Sequence, residues 1–544
     1  MTTGVWFRNA LRLHDNLPLI EAAKSSNPVI CFYIFTPAVY NPDYMGMNRL
    51  YFLLQSLEDL KNRLKKQYKN GDLIILNTSK SCKDVFSQLC KADVLKEVFY
   101  EYDSSPHGKG RDTQIQKEIH QVSFKVFHGH TFTKLPDVVA QKGFKNPSTM
   151  SMMENIMIKE FGKGKGRSGI NVPSPLDPPD EINFDISFLK KIKKRCPELE
   201  ILEEVPKLKD LSKIFGPLFD NVNVTSIEKN NFFHGGETEA LERLERKVLD
   251  NTEFVCKFKK PETTCITTSA SEFKEPSTTG LSPYIALGCL SVRQLWHGVD
   301  QAYAKRKGFK IDSLATSLYG QLLFREMFYI LNEAIGPVFA LNDKNNPAIS
   351  KYVEWDKKDP KLLEAWENGQ TGYPFIDALM RQMKSTGWMH HLGRHAVSCF
   401  LTRGQLYQNW TYGRDVFDRE LVDSDYALNT GNWLWLSGVA TFSMPYFRVY
   451  SPCPTEDKKS ALNFNAGGND FIRHWVPELK KFPAKFLTKP WECPKMAQTS
   501  CGVIIGKDYP MPIVPLKNDN LDKFKKSLQD NKSSSGPPNK KKKI

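Results

Sequence analysis

The first 130 residues alternate short apolar runs with segments of helical periodicity, and this alternation constrains the fold more than any other feature. Strands are predicted over Gly4–Arg8, Pro28–Phe35, Asp72–Asn77, Glu97–Asp103 and Phe124–Gly129. Helices are predicted between them, over Leu17–Lys24, Asn48–Lys66, Cys82–Lys91 and Arg111–Gln121. The pattern is typical of an α/β domain with a doubly wound parallel sheet. No Gly-x-Gly-x-x-Gly motif follows the first strand, so a standard dinucleotide site is not expected there.

The rest of the chain changes character twice. A chain of 544 residues is too long for a single core and is expected to form more than one domain. After an α/β domain over 1–130, a connector rich in Pro, Lys and Asp is predicted over 131–215. Helical periodicity dominates 216–513, which predicts an all-α second domain, and the basic tail 514–544 is predicted to be disordered.

Charge and composition narrow the class of protein. The net charge is +15, and nine lysines with three aspartates from Lys517 onward account for +6 of it, which leaves +9 for the body. A basic body favours a polyanionic partner such as DNA, although a generally lysine-rich proteome would also explain it. No apolar run approaches 18 residues, so no membrane association is expected. The 11 cysteines are scattered singly, and neither a disulfide framework nor a metal site is predicted.

A polar cluster lies among large apolar residues in the segment 421–436. The large apolar neighbours are expected to be buried, and the polar side chains among them are then buried as well. Buried carboxylates and amides need hydrogen-bond partners. A bound heterocycle with imide and ring nitrogens would supply several such partners, whereas the alternative is a polar network that caps buried helices. The members of the cluster are Asp423, Asp425, Asn429, Asn432 and Trp433.

Two further clusters carry chemistry. His391 and His395 are four residues apart, which places both on one helix face, and Arg394 beside them is a natural partner for a buried carboxylate. No glutamate lies between the histidines as in a zinc protease, so acid–base work or ligand binding is the better interpretation.

Hydroxyl groups and Gly280 precede an apolar helical run from Ser282, where backbone N–H groups can bind phosphate, although an ordinary helix cap explains them too.

Taken together, these segments resemble the cryptochrome and photolyase family over nearly the whole chain. The opening Trp6-Phe-Arg-x-x-Leu-Arg-Leu-His-Asp-Asn16 matches the family, as do Gln321-Leu-Leu-Phe-Arg-Glu326 and Trp366-Glu-Asn-Gly-Gln-Thr-Gly-Tyr-Pro374. The runs His-His-Leu-x-Arg-His-Ala-Val and Phe-Leu-Thr-Arg-Gly resemble the animal branch, which holds (6-4) photolyases and animal-type cryptochromes.

The resemblance implies FAD in the helical domain, and it implies roles for individual residues. Asn429 matches the position that faces flavin N5, and Arg394 and Asp423 match a pair beside the ring. The family also uses an antenna chromophore, a folate or a deazaflavin, in the N-terminal domain, but no residue here identifies one. The residues that match cofactor contacts are Thr278, Thr279, Ser282, Gln321, His391, Arg394, Asp423, Asp425, Asn429 and Asn432.

The family reduces its excited flavin through a chain of tryptophans, and the resemblance carries this chain over as well. Trp433, Trp410 and Trp355 match the inner, middle and outer members. A fourth member, expected near the surface, falls on Tyr407, which can end such a chain by losing a proton after it is oxidised. The alternative is that the three tryptophans only fill the core.

The resemblance leaves two functions open, with a light-independent transcriptional regulator as a weaker third. A cryptochrome photoreceptor that acts through signalling partners is favoured over a (6-4) photolyase, in which His391 and His395 would be catalytic and damaged DNA the substrate. Three departures from the repair pattern support this preference: Phe324 replaces a tryptophan, Gly393 replaces an alanine, and Thr441–Tyr446 differs. The nucleus, the cytoplasm or both are the expected location.

Overall fold

The amino-terminal strands pair into one six-stranded sheet in the order β5-β4-β1-β2-β3-β6. This computed structural model describes residues 2–258, 278–306, 308, 311, 313–348, 352–440, 449–454 and 468–534. All neighbouring pairs are parallel except β3 with β6. The strands are β1 (Thr2–Phe7), β2 (Val29–Phe35), β3 (Leu73–Asn77), β4 (Leu95–Glu101), β5 (Ser123–Phe127) and β6 (Glu200–Leu202).

The sheet confirms the predicted α/β class and all five predicted strands. β1, β2 and β3 are buried along their whole length, as expected for parallel strands covered on both faces. β6 was not predicted, because a three-residue edge strand that is half exposed has too little apolar periodicity to detect.

Helices connect the strands and make up the remainder of the described chain. Up to residue 257 they are α1 (Leu17–Ala23), α2 (Pro37–Tyr40), α3 (Met47–Gln67), α4 (Cys82–Lys91), α5 (Pro106–Glu118), α6 (Leu135–Val139), α7 (Met150–Phe161), α8 (Phe188–Arg195), α9 (Leu211–Phe215), α10 (Val224–Asn230), α11 (Glu237–Leu244) and α12 (Thr252–Lys257). Beyond it they are α13 (Ser282–Leu287), α14 (Val292–Ala304), α15 (Leu318–Ile335), α16 (Pro360–Glu367), α17 (Pro374–Thr386), α18 (His391–Cys399), α19 (Trp410–Glu420), α20 (Tyr426–Leu436), α21 (Gly468–Trp475), α22 (Lys495–Cys501) and α23 (Asn520–Ser534).

The chain divides into two compact units. The first unit comprises Met1–Lys260, Ser277–Ala334 and Asp418–Ala427, and so contains the sheet. The described residues of the second unit lie within Ile335–Phe417 and Leu428–Ile544, and this unit is helical. Within the described ranges, no helix is both long enough and apolar enough to cross a membrane.

The prediction of a disordered tail is wrong for residues 520–534, which form α23. Phe524 and Leu528 are buried, and Leu521 is half-buried, so one face of this lysine-rich helix packs against other residues of the second unit, to which it belongs. Asn520 anchors its start by donating to the carbonyls of Gly404 and Gln405. The apolar stripe was not recognised in the sequence because charged residues surround it. The surface that it packs against is formed by residues far away in the sequence. The lysine run 540–543 lies outside the described residues.

The segment after β1 is a buried polar loop in the first unit. Arg12 donates to the carbonyls of His14, Asp15 and Gly288, and Asp15 forms an ion pair with Arg293. Asp15 has φ +50°, a left-handed conformation that aspartate tolerates better than most residues. The family-like opening motif therefore ties the end of β1 to α13 and α14 through side-chain contacts, rather than through a glycine-rich phosphate loop.

Candidate functional site

α18 places the two predicted catalytic histidines on one face. The ring centroids of His391 and His395 are 5.7 Å apart with the rings nearly perpendicular, which confirms the i, i+4 expectation. The Nδ1 atom of His395 lies 3.2 Å from the hydroxyl of Tyr450. Sequence reasoning missed Tyr450, because it follows His395 by 55 positions and no local pattern links the two. The structure thus groups two imidazoles and one phenol, which is a set of proton donors and acceptors.

His390 caps the helix that carries this pair. Its Nδ1 accepts from the backbone N–H of Leu392, so its remaining proton lies on Nε2. Burial, followed by the nearby charges of His391, Arg394 and His395, lowers the pKa of His390 well below its usual value. His390 is therefore neutral in the folded chain.

Replacing His390 with Asn will reduce the loss of stability on acidification. The pKa of His390 is lower in the folded chain than in the unfolded chain. Below about pH 6.5 the unfolded chain therefore binds one more proton than the folded chain. The free energy of unfolding then falls by up to about 1.4 kcal/mol for each pH unit of acidification. Asparagine retains a capping oxygen without the titration. Urea unfolding between pH 5 and 8 measures the slope. The exposed His120→Asn variant is the control, and equal slopes for H390N and the unsubstituted chain would contradict the assignment.

Gly393, one of the departures from the family pattern, has a structural reason. A Cβ atom on Gly393 would lie 2.6 Å from Cδ2 of Leu379 and 3.0 Å from Cγ of Met389. α18 therefore packs so closely on α17 that an alanine requires these side chains to move. The departure at 441–446 lies outside the described residues.

The two predicted amide contacts on α20 differ in what they can offer a ligand. Asn429 donates from Nδ2 to the carbonyl of Arg414 at 2.8 Å, which uses one of its two N–H donors and orients the amide. Asn432 is exposed and donates to the carbonyl of Leu428 in its own helix. Arg394, on α18, donates from Nε to the carbonyl of Met389. The roles of these three residues in binding stay predictions.

Two of the residues predicted to contact the cofactor, both in the first unit, form a hydrogen bond with each other. Ser282 donates to Asp423 at 2.8 Å, so both belong to one polar group. Thr278 and Thr279 are half-buried before α13, and Gln321 is exposed on α15.

Arg243 is a cation that sequence reasoning did not find beside this group. A Cβ atom on Gly280, which has φ +60°, would lie 2.9 Å from its Nη1. The guanidinium also lies over the rings of Phe233 and Tyr284, which fixes its position beneath the turn. A cation held here suits a phosphate at the start of α13.

The predicted inner tryptophan lies in an apolar cage in the second unit. Trp433 is fully buried, with its ring centroid 4.9 Å from that of Phe417 and 6.3 Å from that of Trp366. α19 approaches the indole edge so closely that a Cβ on Gly413 would lie 2.1 Å from Cη2 of Trp433. The indole is therefore held rigidly against α19, which begins at Trp410.

The middle member of the predicted chain, Trp410, is the first residue of α19, and the outer members precede that helix. Trp410 is fully buried, and the guanidinium of Arg414 lies 5.6 Å from its ring centroid. Tyr407, three residues earlier, has its ring centroid 5.3 Å from that of Trp355. Among the predicted members, Tyr407 and Trp355 are thus in ring contact. Trp410 lies three residues before Gly413, which faces the Trp433 indole. The order of electron transfer stays a prediction.

Tyr407 is not near the surface, as the sequence led us to expect, but 1% exposed. α23 covers it: the Lys523 ammonium lies 4.3 Å from the Tyr407 ring centroid, and Phe524 packs beside Trp355. Burial, with the charges of Asp356 and Glu354, raises the pKa of Tyr407. Its hydroxyl has no hydrogen-bond partner among the described residues. The same helix that the sequence did not predict therefore changes the environment of this tyrosine.

Buried polar atoms in α17–α20 fit a heterocyclic ligand. A flavin carries ring nitrogens, an imide and carbonyl oxygens, so it can pair with several donors and acceptors at once. In the part of the chain that the structure describes, the buried atoms on or directly beside α17, α18 and α20 that lack a hydrogen-bond partner are Gln382 Oε1 and Nε2, His390 Nε2, Thr430 Oγ1, Trp433 Nε1 and Ser437 Oγ.

A cavity of about 980 Å³ lies in the first unit. Its wall includes the residues that follow β1, β2 and β4, which is where ligands bind in doubly wound sheets. Arg8 lies there between the rings of Trp6 and Tyr100, at 4.6 and 4.4 Å from their centroids. Sequence reasoning found no residue that identifies an antenna chromophore, whereas the fold provides a site large enough for a planar one.

Comparisons with known proteins identify the family of this chain. The family model described as DNA photolyase matches residues 3–172, and the one described as FAD binding domain of DNA photolyase matches 317–528. The chain is 36% identical over 529 residues to (6-4)DNA photolyase of Oryza sativa subsp. japonica, with 94% of this chain and 86% of that protein covered. It is also 36% identical over 516 residues to Cryptochrome-1 of Erithacus rubecula, with 94% and 75% covered.

Solved structures show the same fold. A cryptochrome from Synechocystis sp. PCC6803 superposes with a TM-score of 0.73 at 24% identity, and 98% of each chain is covered. A class III photolyase from Agrobacterium tumefaciens gives a TM-score of 0.69 at 25% identity, again with 98% of each chain covered. With its α/β sheet, its helical part and its FAD-binding domain, this chain belongs to the cryptochrome and photolyase family.

Proposed function

We propose that this chain is a blue-light photoreceptor of the cryptochrome type, reduced through Trp433, Trp410 and Trp355. The single observation that supports it best is the rigid, dry setting of Trp433, held by Gly413 beside α19. FAD, when bound, would supply light absorption and an electron acceptor. The chain supplies the indoles, and its apolar cage excludes water, which otherwise reorganises around a new charge and slows transfer.

The chain's own residues would hold the cofactor by three kinds of contact. Hydroxyl groups before α13 would bind phosphate, with Arg243 supplying a positive charge. The Asn429 amide, oriented by its hydrogen bond to the Arg414 carbonyl, would bond to the ring by its oxygen or its second N–H. The full set that we propose comprises Thr278, Thr279, Ser282, Gln321, His391, Arg394, Asp423, Asp425, Asn429 and Asn432.

Replacing Tyr407 with Phe will leave the lifetime of the light-induced radical pair unchanged. An oxidised tyrosine is stabilised by losing its proton, and the Tyr407 hydroxyl is buried with no acceptor among the described residues. Trp355, which is half-buried, would then hold the oxidising equivalent. Transient absorption measures the lifetime. Trp355→Phe is the comparison variant and should shorten it, whereas a shorter lifetime in Tyr407→Phe would return Tyr407 to the chain.

One observation favours a second function, that of a (6-4) photolyase. His391, His395 and Tyr450 form a compact proton-transfer group, and a basic body suits duplex DNA with a flipped-out lesion. Phe324 weakens the case, because the loss of an indole stacking surface costs ~1–3 kcal/mol of base affinity, part of which phenylalanine retains.

A repair assay separates the two functions. The reduced protein is illuminated with an oligonucleotide that contains a (6-4) lesion, and restored thymines are measured by chromatography, with a dark sample as the control. If the chain is a photoreceptor, no thymines are restored. The Phe324→Trp variant then tests whether repair fails only because the lesion binds too weakly. Light-dependent restoration by the unsubstituted chain would replace our proposal with the photolyase.

We also propose that the cavity in the first unit holds an antenna chromophore, a folate or a deazaflavin. Its volume and its position at the ends of β1, β2 and β4 support this. A second light-absorbing compound should be released with FAD on denaturation of protein purified from its source, and its absence there would count against the site.

DNA or signalling proteins as partners imply a location in the nucleus or the cytoplasm, which imaging of tagged protein tests.

A further inference from the structure

Three polar side chains on the wall of this cavity are linked end to end. Tyr329, on α15, donates its hydroxyl to Oδ2 of Asp425 at 2.5 Å, and the Tyr329 hydroxyl oxygen lies 2.7 Å from Nε2 of His130. His130 and Asp425 are 3.9 Å apart at their nearest polar atoms, too far for a direct hydrogen bond. The phenol is therefore the bridge between them, and all three residues line the cavity.

The bridge is held in place by the neighbouring residues of α15. Arg325 donates to the carbonyl of His130 at 2.9 Å, and its guanidinium lies 4.6 Å from the ring centroid of Tyr329. Glu326 is fully buried and accepts hydrogen bonds from the backbone N–H groups of Phe132 and Thr133. The loop after β5 is thus fixed to the helix, so the His130–Tyr329 distance is set by the fold and not by a mobile side chain.

The protonation states are defined by the surroundings. Burial, followed by the charges of Arg325 and Arg12, lowers the pKa of His130 well below its usual value, so the ring is neutral. Burial and the adjacent Asp425 raise the pKa of Tyr329 well above its usual value, so the phenol keeps its proton. Because Tyr329 donates its only proton to Asp425, its oxygen is the acceptor in the contact with His130, which requires a protonated Nε2. Arg325 donates to the same oxygen from Nη2 at 3.4 Å. The other nitrogen, Nδ1, then carries no proton and can accept one.

We propose that His130, Tyr329 and Asp425 form a proton relay that carries a proton from the His130 imidazole to the Asp425 carboxylate. Water in the cavity protonates His130 at Nδ1, His130 passes its Nε2 proton to the Tyr329 oxygen, and Tyr329 passes its own hydroxyl proton to the Asp425 carboxylate. One proton enters and one is bound by Asp425, while His130 and Tyr329 end neutral. The relay rests on the proposed function, because Asp425 is among the residues proposed to contact the flavin, where a new negative charge requires compensation.

The test uses full-length protein and Tyr329→Phe, which keeps the ring over Arg325 and removes the bridging oxygen. After a light flash, a pH-indicator dye measures proton uptake, and transient absorption measures the first electron transfer. We expect Tyr329→Phe to slow proton uptake by at least about tenfold without changing electron transfer. Tyr303→Phe, which removes another buried hydroxyl, bonded to the carbonyl of Val255 and outside the cavity, is the matched control.

A dark measurement keeps the relay testable if the proposed photochemistry fails. Infrared spectra of protein with isotope-labelled tyrosine rings identify the Tyr329 C–O band as the one lost in Tyr329→Phe. This band should shift in both Asp425→Asn and His130→Gln, with or without bound flavin. Unchanged proton uptake in Tyr329→Phe, or a band that neither variant moves, would overturn the relay. Absence of photoreduction in the unsubstituted chain would instead refute the proposed function.

Discussion

Replacing Trp433 with Phe will slow flavin photoreduction by about 100-fold, equivalent to about 2.7 kcal/mol of activation free energy. Phenylalanine fills most of the cage formed by Phe417, Trp366 and Gly413, but it is far harder to oxidise than an indole. Any remaining transfer has to come from a more distant donor. Absorbance of the flavin under continuous blue light measures the rate.

The control for this variant is Trp296→Phe, which removes an equally buried indole from the first unit. It should leave the photoreduction rate unchanged. Gly413→Ala is a complementary change, because the new methyl group would overlap the edge of Trp433 and displace it. Rapid photoreduction in Trp433→Phe would refute electron supply by this route and, with it, the proposed photoreceptor.

Replacing Glu237 with Ala will destabilise the chain by about 3–5 kcal/mol, because it leaves buried charged and polar groups without their partner. Glu237 is fully buried at the start of α11 and accepts hydrogen bonds from the backbone N–H groups of Leu13 and His14. It also bonds to the His14 ring and pairs with Arg63. Burial raises the pKa of this carboxyl, but the hydrogen bond and charge of His14 together with Arg63 lower it overall, so this stability is lost as pH falls through the folded-state pKa.

Glu242→Ala, an exposed site on the same helix, is the matched control and should change stability by less than about 0.5 kcal/mol. Urea unfolding at pH 7 measures both variants. A loss below about 1 kcal/mol in Glu237→Ala would show that the loop after β1 does not depend on this carboxylate.

Sequence patterns that repeat over a few residues predicted the structure well. The apolar runs of β1–β5 and the spacing of His391 and His395 both express local geometry, since a strand alternates faces and a helix returns to one face every three to four residues. α23 was missed because its stripe, Leu521, Phe524 and Leu528, is short and surrounded by lysines. What makes it a helix is the apolar surface of the second unit that it covers, including Trp355.

The sequence by itself therefore determined the α/β sheet, the helical class of the second half and the family to which the chain belongs. The tertiary structure alone decided that α23 covers Tyr407, that Tyr450 bonds His395 and that Tyr329 bridges His130 to Asp425. The physical reason is range. Local periodicity is encoded in neighbouring residues, whereas a hydrogen bond between residues 55 to 199 positions apart exists only once the core has brought their backbones together.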